Sequence, residues 1–384
     1  MNIKLSRCTI LFLLISNSLL AQTIKGRILD ENTNTGIAYI TIQADQNHKT
    51  ISNENGEFDI AVKSLPCEFY LSHISYQPVK VKATDSLLTV KLKSIVQNLN
   101  EVVIGNEALS VMKSAYQEAI TSVEESFFAK AFIRQLAYEG DRPTYLNEIF
   151  FNADWKSYGL LKWLPTESRF LKNNSHVSYT NISVAAFELS GFLSNSHFLK
   201  PLSLKLDSIY SFKIKSTYHL NGNEIAVINC QLKIKSDKPY FEGDYYVNTD
   251  DYSVLKLDGI LKNFALNSRG ILGAKAREVN LISVYKPTSE GKNVLDFSVL
   301  TLKSKMTVLG LGTKELEFRN LLYMVDYSKS YNNNLKALQM QTNDVKTTQN
   351  MVYNADFWKS NVIIKRTAKE EEAIKNLEKT SITN

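Results

Sequence analysis

The sequence predicts a mainly β protein with an N-terminal seven-stranded β-sandwich, a connecting amphipathic helix, and then a larger curved antiparallel sheet domain with a C-terminal helix. Three observations support this fold class. Residues 23–92 alternate between apolar and polar side chains in short segments that turn residues separate. Residues 106–126 carry apolar residues at helical spacing, and residues 127–327 return to longer alternating segments that hairpin turns join.

Residues 1–21 are predicted to be a secretory signal peptide. Lys4 and Arg7 precede the apolar run of residues 9–15, and a small residue, Ala21, ends the segment. A transmembrane anchor is the alternative, but the apolar run is too short to span a bilayer. Because Gln22 stands where a lipoprotein needs cysteine, we expect cleavage without lipidation, and a location in the periplasm or at the periphery of the outer membrane.

Residues 22–95 are predicted to form the β-sandwich. Asn55 and Gly56 can supply the positive backbone dihedrals of a tight hairpin turn, after which Phe58 and Ile60 point to one face of the next strand. Seven short strands with turn signals between them fit a sandwich. The first starts at Thr23, the second covers 38–44, and the others cover 49–52, 57–62, 68–74, 78–82 and 87–92.

Five segments of this region form a characteristic set. They are Gly-Arg-Ile-Leu-Asp at 26–30, Gly-Ile-Ala-Tyr-Ile at 36–40, Asn-Gly-Glu-Phe at 55–58, Ile-Ser-Tyr at 74–76 and Val-Lys-Leu at 90–92. The set resembles the carboxypeptidase-like regulatory domain, a transthyretin-like β-sandwich. The resemblance implies a module that is common at the mature amino terminus of secreted and outer-membrane proteins. Ser75 departs from the family pattern, which usually has glycine before the aromatic residue.

Residues 99–105, Leu-Asn-Glu-Val-Val-Ile-Gly, resemble the segment that follows this domain in TonB-dependent outer-membrane receptors. In those receptors the segment leads to a plug and a barrel of about 22 strands, for which the remaining sequence is too short. We therefore predict a linking strand, with a partner-binding strand as the alternative. A membrane barrel over 127–327 is disfavoured because the charged segment 365–384 follows.

The region 96–126 combines this strand with an amphipathic helix from Asn106 to Ser126. Its apolar stripe contains Ala108, Met112, Ala115, Ala119 and Val123. The polar face carries several glutamates against a single lysine, which is unlike a helix that lies on a membrane. We expect the helix to pack on the sheet that follows.

Residues 127–330 are predicted to form the large antiparallel sheet. If the hairpin of 127–138 and 144–155 is symmetric, Arg134 lies nearly opposite Glu148, and we predict a structural ion pair, with a catalytic pair as the alternative. Further strands are predicted at 211–220, 224–234, 240–247, 252–261, 278–285, 294–306 and 316–327. This pattern resembles, in topology only, the curved half-barrel sheets of periplasmic lipoprotein-carrier-like proteins.

Two other stretches are less regular. Residues 155–200 carry aromatic residues at no fixed period, and these either line a ligand groove or fill the open face of the sheet. We expect them to fill it together with the amphipathic helix. Residues 331–384 are predicted to be a polar loop, an anchor at Phe357-Trp358 and a short surface helix over 371–379, after a capping box at Thr367 to Glu370.

Sequence patterns for catalysis and metal binding are missing. The sequence contains no His-Glu-x-x-His, no Gly-x-Ser-x-Gly and no phosphate-binding glycine loop. Asp30, Asn32 and Asn34 alternate like the opening of a calcium loop, but Thr41 stands where a bidentate glutamate is needed. We expect no metal and no cofactor.

The net charge of +6 is spread without a polybasic run, so nucleic acid is not an expected partner. Beyond Cys8 in the signal segment, only Cys67 and Cys230 occur, and whether they pair stays open, with buried thiols favoured over a disulfide. We predict a secreted, non-enzymatic binding or adaptor protein of the cell envelope, whose partner is an envelope protein or an apolar ligand. The alternative is an envelope hydrolase with a site assembled from distant residues.

Overall fold

The computed structural model describes residues 22–45, 48–95, 106–175, 177, 179–264, 278–308, 312–328, 334–337, 343–361 and 363–382. The predicted signal peptide, 1–21, and the linking strand, 99–105, lie outside the described residues. The chain forms two compact units. Unit 1 comprises Met1–Ser94 and Val362–Thr367, and unit 2 comprises Ile95–Asn361 and Ala368–Asn384.

Unit 1 is the predicted seven-stranded β-sandwich. Its strands are β1 (Gln22–Asp30), β2 (Thr41–Gln43), β3 (Lys49–Ile51), β4 (Glu57–Val62), β5 (Cys67–His73), β6 (Tyr76–Ala83) and β7 (Leu87–Leu92). They form a three-stranded sheet in the order β4-β1-β7 and a four-stranded sheet in the order β3-β2-β5-β6. Alternate residues such as Ile24, Ile28, Phe58 and Leu71 point inward and form one buried apolar cluster.

Two local predictions in unit 1 need correction. The second strand is shorter than 38–44, because Tyr39 adopts a left-handed φ of 61° that extended pairing does not allow. Asn55 and Gly56 do not close a hairpin, since β3 and β4 belong to different sheets. Of the two, only Gly56 has a positive φ, 76°. The turn is held by Asn53, whose Oδ1 accepts hydrogen bonds from the amides of Asn55 and Glu57.

Unit 2 is built on an eleven-stranded sheet. Its first elements are α1 (Asn106–Thr121), β8 (Phe127–Glu139), β9 (Arg142–Lys156), β10 (Gly159–Lys172), α2 (Ile182–Leu189) and α3 (Leu206–Ile209). Then follow β11 (Tyr210–Leu220), β12 (Asn223–Leu232), β13 (Tyr240–Asn248), β14 (Val254–Lys262), β15 (Glu278–Pro287), β16 (Asn293–Val308) and β17 (Gly312–Ser328). The last are β18 (Lys336–Ala337), α4 (Asp344–Gln349), α5 (Ala355–Ser360) and α6 (Ala368–Ile382).

The strand order of this sheet is β11-β12-β13-β14-β15-β16-β17-β8-β9-β10-β18. Every neighbour from β11 to β17 is also the next strand in the sequence, so these pairs are local hairpins. Two pairs are not consecutive in the sequence: the short pair of β10 with β18, and the pairing of β17 with β8, which joins Leu321 to Arg134 across most of the domain. The predicted antiparallel sheet is confirmed. Its first three strands, β8 to β10, join the strands β11 to β17 through the pairing of β8 with β17.

One face of the sheet, here called the inner face, carries the main core. All ten long strands, β8 to β17, contribute buried apolar residues to a single cluster with α1 and α2. Both helices therefore pack on the same face of the sheet.

The opposite, outer face is covered near β8 and β9 by the C-terminal helices. Leu377 of α6 packs there with Leu136 and Leu146, and Trp358 of α5 packs on Phe150. The predicted surface helix is thus half-buried and longer than predicted, and α4 lies in the segment that was predicted to be a polar loop. In 155–200 the structure adds β10 and α2, and α1 ends at Thr121, short of Ser126.

Candidate functional site

The most concentrated group of buried charges lies on the outer face of the sheet. The register of β8, β9 and β10 places Arg134, Glu148 and Arg169 side by side in one row. Arg134 Nε donates to Glu148 Oε1 at 2.7 Å, and Arg169 Nε donates to Glu148 Oε2 at 2.9 Å, with a second bond from Arg169 Nη2 to the same oxygen. Glu148 is completely buried. One carboxylate is therefore shared by two guanidinium groups.

The C-terminal helices contribute further side chains that contact the two arginines of this charged row. Glu370 of α6 lies 3.8 Å from Arg134 Nη1, and Glu378 lies 4.0 Å from Arg169 Nη1. The guanidinium of Arg169 stacks over the Trp358 ring at 5.3 Å. Two guanidinium groups thus face three carboxylates, and each buried arginine has a second carboxylate besides Glu148 within 4.0 Å.

A neutral polar row lies one residue along the same strands and points to the inner face. Gln135 Nε2 donates to Ser183 Oγ of α2 at 3.1 Å and to Asn320 Oδ1 of β17 at 3.0 Å. Tyr145 donates to Gln135 Oε1 at 3.2 Å and accepts from Asn147 Nδ2 at 3.3 Å. This row fixes α2 on the sheet. No sequence pattern indicated it, because it depends on the distant pairing of β17 with β8.

Asp344 anchors the start of α2. Its carboxylate accepts hydrogen bonds from the backbone amides of Asn181 at 2.7 Å and Ser183 at 2.9 Å. Burial raises the pKa of Asp344, and these backbone amides act in the opposite direction. The role of this residue is to bond the first turn of α2, which is buried along almost all of its length.

Lys200 is a completely buried lysine at the other end of α2. Its Nζ donates to the carbonyl oxygens of Leu189, at 2.9 Å, and Gly191. Burial lowers the pKa of Lys200 to about 7, although the Glu188 carboxylate raises it. A lysine in this state could act as a nucleophile, but here its donors are taken up by the end of the helix.

The described side chains on the inner face are closely packed. Met112 of α1, Phe187 of α2 and Trp155 of β9 are all fully buried in the common core. A small cavity beside α1, lined by Glu118, Phe192 and other side chains, measures about 20 Å³. That volume holds about one water molecule.

The other residues that the sequence indicated as candidates do not form a site in the described part of the chain. Asp30 Oδ1 accepts from the amides of Asn32 and Thr33 within the turn, and Oδ2 accepts from the Tyr76 hydroxyl of β6, so both oxygens are bonded inside unit 1. Cys67 and Cys230 are free thiols. Among the described residues, no group of three or more His, Cys, Asp or Glu side chains is arranged to hold a metal ion. No described helix has the length and apolar character that crossing a membrane needs.

Residues 24–104 match the family model of the CarboxypepD_reg-like domain. Unit 1 therefore contains the regulatory-like sandwich that the sequence resemblance indicated. No curated protein matches the sequence.

Two solved structures are distantly similar. A DUF1329 family protein from Desulfovibrio piger ATCC 29098 has 11% identity and a TM-score of 0.28, over 63% of this chain and 97% of that chain. A LolA superfamily protein from Nitrosomonas europaea has 12% identity and a TM-score of 0.24, over 60% of this chain and 96% of that chain. At these TM-scores, the similarities carry no inference about this chain.

Proposed function

We propose that the protein is a non-enzymatic binding or adaptor protein of the cell envelope, and that its large sheet is a scaffold for a protein partner. The observation that carries this proposal is the filled inner face. Met112 and Phe187 come from two different helices and are both fully buried there. A carrier of an apolar ligand needs a cavity of several hundred Å³ at this position. The small cavity beside α1 is far below that size.

The state of the buried ionisable groups supports a non-enzymatic role. A general base needs an oxygen that can reach a substrate proton. Both oxygens of Glu148 hold arginines, and the Asp344 carboxylate is bonded to backbone amides. We therefore propose that Arg134 and Glu148 form a structural ion pair, extended by Arg169.

The envelope location rests on two supports of different kinds. The regulatory-like sandwich of unit 1 belongs to a domain family that is common in secreted and outer-membrane proteins, and the predicted signal peptide explains how the chain would be exported. Export would bring the chain to the compartment where such sandwiches act. The partner then belongs to the periplasm or to the outer-membrane surface.

Ligand analysis separates a scaffold from a carrier. The protein would be purified from its native envelope without detergent, extracted with organic solvent and analysed by mass spectrometry. We expect no lipid at a stoichiometric level and no saturable binding of a fluorescent fatty acid. One lipid per chain would overturn the scaffold assignment.

Partner capture tests the positive part of the proposal. A photo-crosslinking residue would replace, one at a time, the exposed apolar residues Leu204, Ile234 and Val352 of unit 2, with the buried Met112 as the control position. We expect one recurring protein adduct from an exposed position and none from Met112. If metal analysis instead found one zinc per chain together with peptide cleavage, the envelope hydrolase would be the better assignment.

A further inference from the structure

A short C-terminal segment returns to the sandwich of unit 1. Residues 363–367, here called the strap, lie between α5 and α6, have a bend at Ile364 and no helix or strand, and belong to unit 1. The Ile363 carbonyl accepts a hydrogen bond from Thr50 Oγ1 at 2.6 Å. Lys365 Nζ donates to Asp59 Oδ1 at 3.0 Å. Ile364, between these two residues, is only 1% exposed.

The strap is bound where the two sheets of the sandwich have their edges. Thr50 lies on β3, which is the edge of the four-stranded sheet, and Asp59 lies on β4, which is the edge of the three-stranded sheet. Edge strands carry backbone groups that their own sheet does not use, and proteins cover or exploit them. The boundary between β3 and β4, here called the seam, is such a position.

The three contacts have the pattern of peptide recognition. One residue is held through its backbone, the next through burial of an aliphatic side chain, and the third through a charge. Peptide recognition commonly combines hydrogen bonds to the peptide backbone, which give affinity, with side-chain pockets, which give specificity. Asp59 supplies the charge that selects a basic residue at the third position.

We infer that the seam is a binding site for a peptide segment with an aliphatic residue followed by lysine, and that the strap is its resident intramolecular ligand. A partner segment with the same chemistry would compete with the strap for the seam. This site belongs to unit 1, and the scaffold role proposed above belongs to the sheet of unit 2. The two can therefore fail separately.

Amide hydrogen exchange on the full chain tests the occupancy of the seam. The charge reversal Lys365→Glu should speed exchange in the strap by about tenfold or more. The double change Asp59→Lys with Lys365→Asp restores an opposite-charge pair and should restore slow exchange. Lys359→Glu, at an exposed position of α5, is the matched control and should leave the strap unchanged. Fast exchange in the wild-type strap, or no rescue by the double change, would overturn the inference.

Binding in trans tests the site itself. A dye-labelled peptide with the sequence of residues 361–368 would be titrated into the full-length Ile364→Ser, Lys365→Glu variant and followed by fluorescence anisotropy. We expect saturable binding to the variant and at least about tenfold weaker binding to the wild type, whose own strap competes at high effective concentration. A peptide with glutamate in place of its lysine should bind neither. Equal binding of both peptides, or no binding to a variant with a wild-type circular dichroism spectrum, would contradict the site.

Discussion

Met112 lies at the centre of the apolar stripe of α1 and is completely buried against the inner face of the sheet. Met112→Asp would place a charge there without a partner. We expect a loss of several kcal/mol of stability, enough to unfold a marginally stable unit. Gln117→Asp, on the exposed side of the same helix, should change the stability by no more than about 0.5 kcal/mol. Thermal unfolding followed by circular dichroism measures both.

The opposite outcome for Met112 would be equally informative. If Met112→Asp kept the wild-type melting temperature and abolished binding of a partner or lipid, α1 would be an exposed recognition element. The interpretation that α1 helps to fill the inner face would then be wrong.

Glu148 is the anion on which two buried arginines depend. Glu148→Gln keeps the shape of the side chain but removes its charge, so Arg134 and Arg169 lose their common counter-charge. We expect a destabilisation of about 3–5 kcal/mol, as for other broken buried ion pairs. Asp207→Asn, which breaks the exposed pair with Lys113 at 3.1 Å, should leave the unfolding midpoint in urea unchanged. Similar midpoints for the two variants would argue against a structural role for the charged row.

The buried Lys200 should make the stability of unit 2 depend on pH. Its pKa is about 7 in the folded protein, and an unfolded chain holds a lysine near about 10.4. Between these values the unfolded state binds a proton that the folded state has lost, so stability rises with pH. Below about pH 7 both states are protonated and the dependence ends.

The measurement for Lys200 compares the wild type with Lys200→Met. From pH 7 to pH 9, the wild type should gain about 2 kcal/mol of unfolding free energy relative to the variant. Urea unfolding at several pH values provides the comparison. A constant difference across this range would mean that Lys200 keeps its proton in the folded protein.

Single residues differ in how far the sequence alone could locate them. Arg134 and Glu148 belong to adjacent strands, and the symmetry of one hairpin places them opposite each other. Arg169 could not be added, because the irregular aromatic spacing of 155–200 hid β10 and its bulges at Leu160/Lys162 and Pro165/Glu167. Gln135 and Asn320 meet only through a pairing of strands far apart in sequence.

At the scale of an element, α6 shows why a charged helix can still be structural. Leu377 lies on its one apolar stripe and is completely buried on the outer face. Leu377→Ala should cost about 2–4 kcal/mol, because the sheet beneath it cannot collapse to fill the space. Asn376→Ala, one residue away and exposed, is the control and should be near neutral. Equal melting temperatures would show that α6 is the surface helix that the sequence indicated.

The strands that pair in hairpins were predictable from the sequence. Helices α2 and α6, which cover the inner and outer faces of the sheet, were not. Strands β11 to β17 alternate clearly, and each pairs with the next strand in the sequence, mostly through a short turn, although residues 263–277 separate β14 from β15. Helix α2 is apolar on almost every side, because sheet and loops surround it. Such a segment shows no amphipathic period, so it cannot be recognised from spacing alone. The sequence of helix α6 is dominated by the charged residues of its exposed face, so its narrow buried stripe is difficult to recognise from the sequence.

At the scale of the whole chain, the predicted mainly β architecture is confirmed in both units. The predicted division into 22–95, 96–126, 127–330 and 331–384 stays a prediction. The strap could not be foreseen, because residues 363–367 are recognised only through side chains of a sandwich that lies three hundred residues earlier, such as Asp59. The pairing of β17 with β8 is equally non-local.

That pairing has a consequence for the order in which the chain can mature. During synthesis, β8, β9 and β10 emerge first, while β17, which covers the open side of β8, follows only after β11 to β16. Until then β8 offers an unpaired backbone edge with apolar residues such as Phe132 and Ile133, which is a template for association with other chains. Closing such a distant contact is also slow, because the entropy of a long loop is lost before the contact forms.

We therefore expect the newborn protein to depend on a holding chaperone, and to fold in two kinetic stages. Pulse-labelled hydrogen exchange during refolding should show early protection in the β11 to β16 hairpins. Protection of the β8 amides that bond to β17 should appear later and together with β17. If that edge of β8 were protected before β17, another segment of the chain would cover it first. The expected dependence on a holding chaperone would then be wrong.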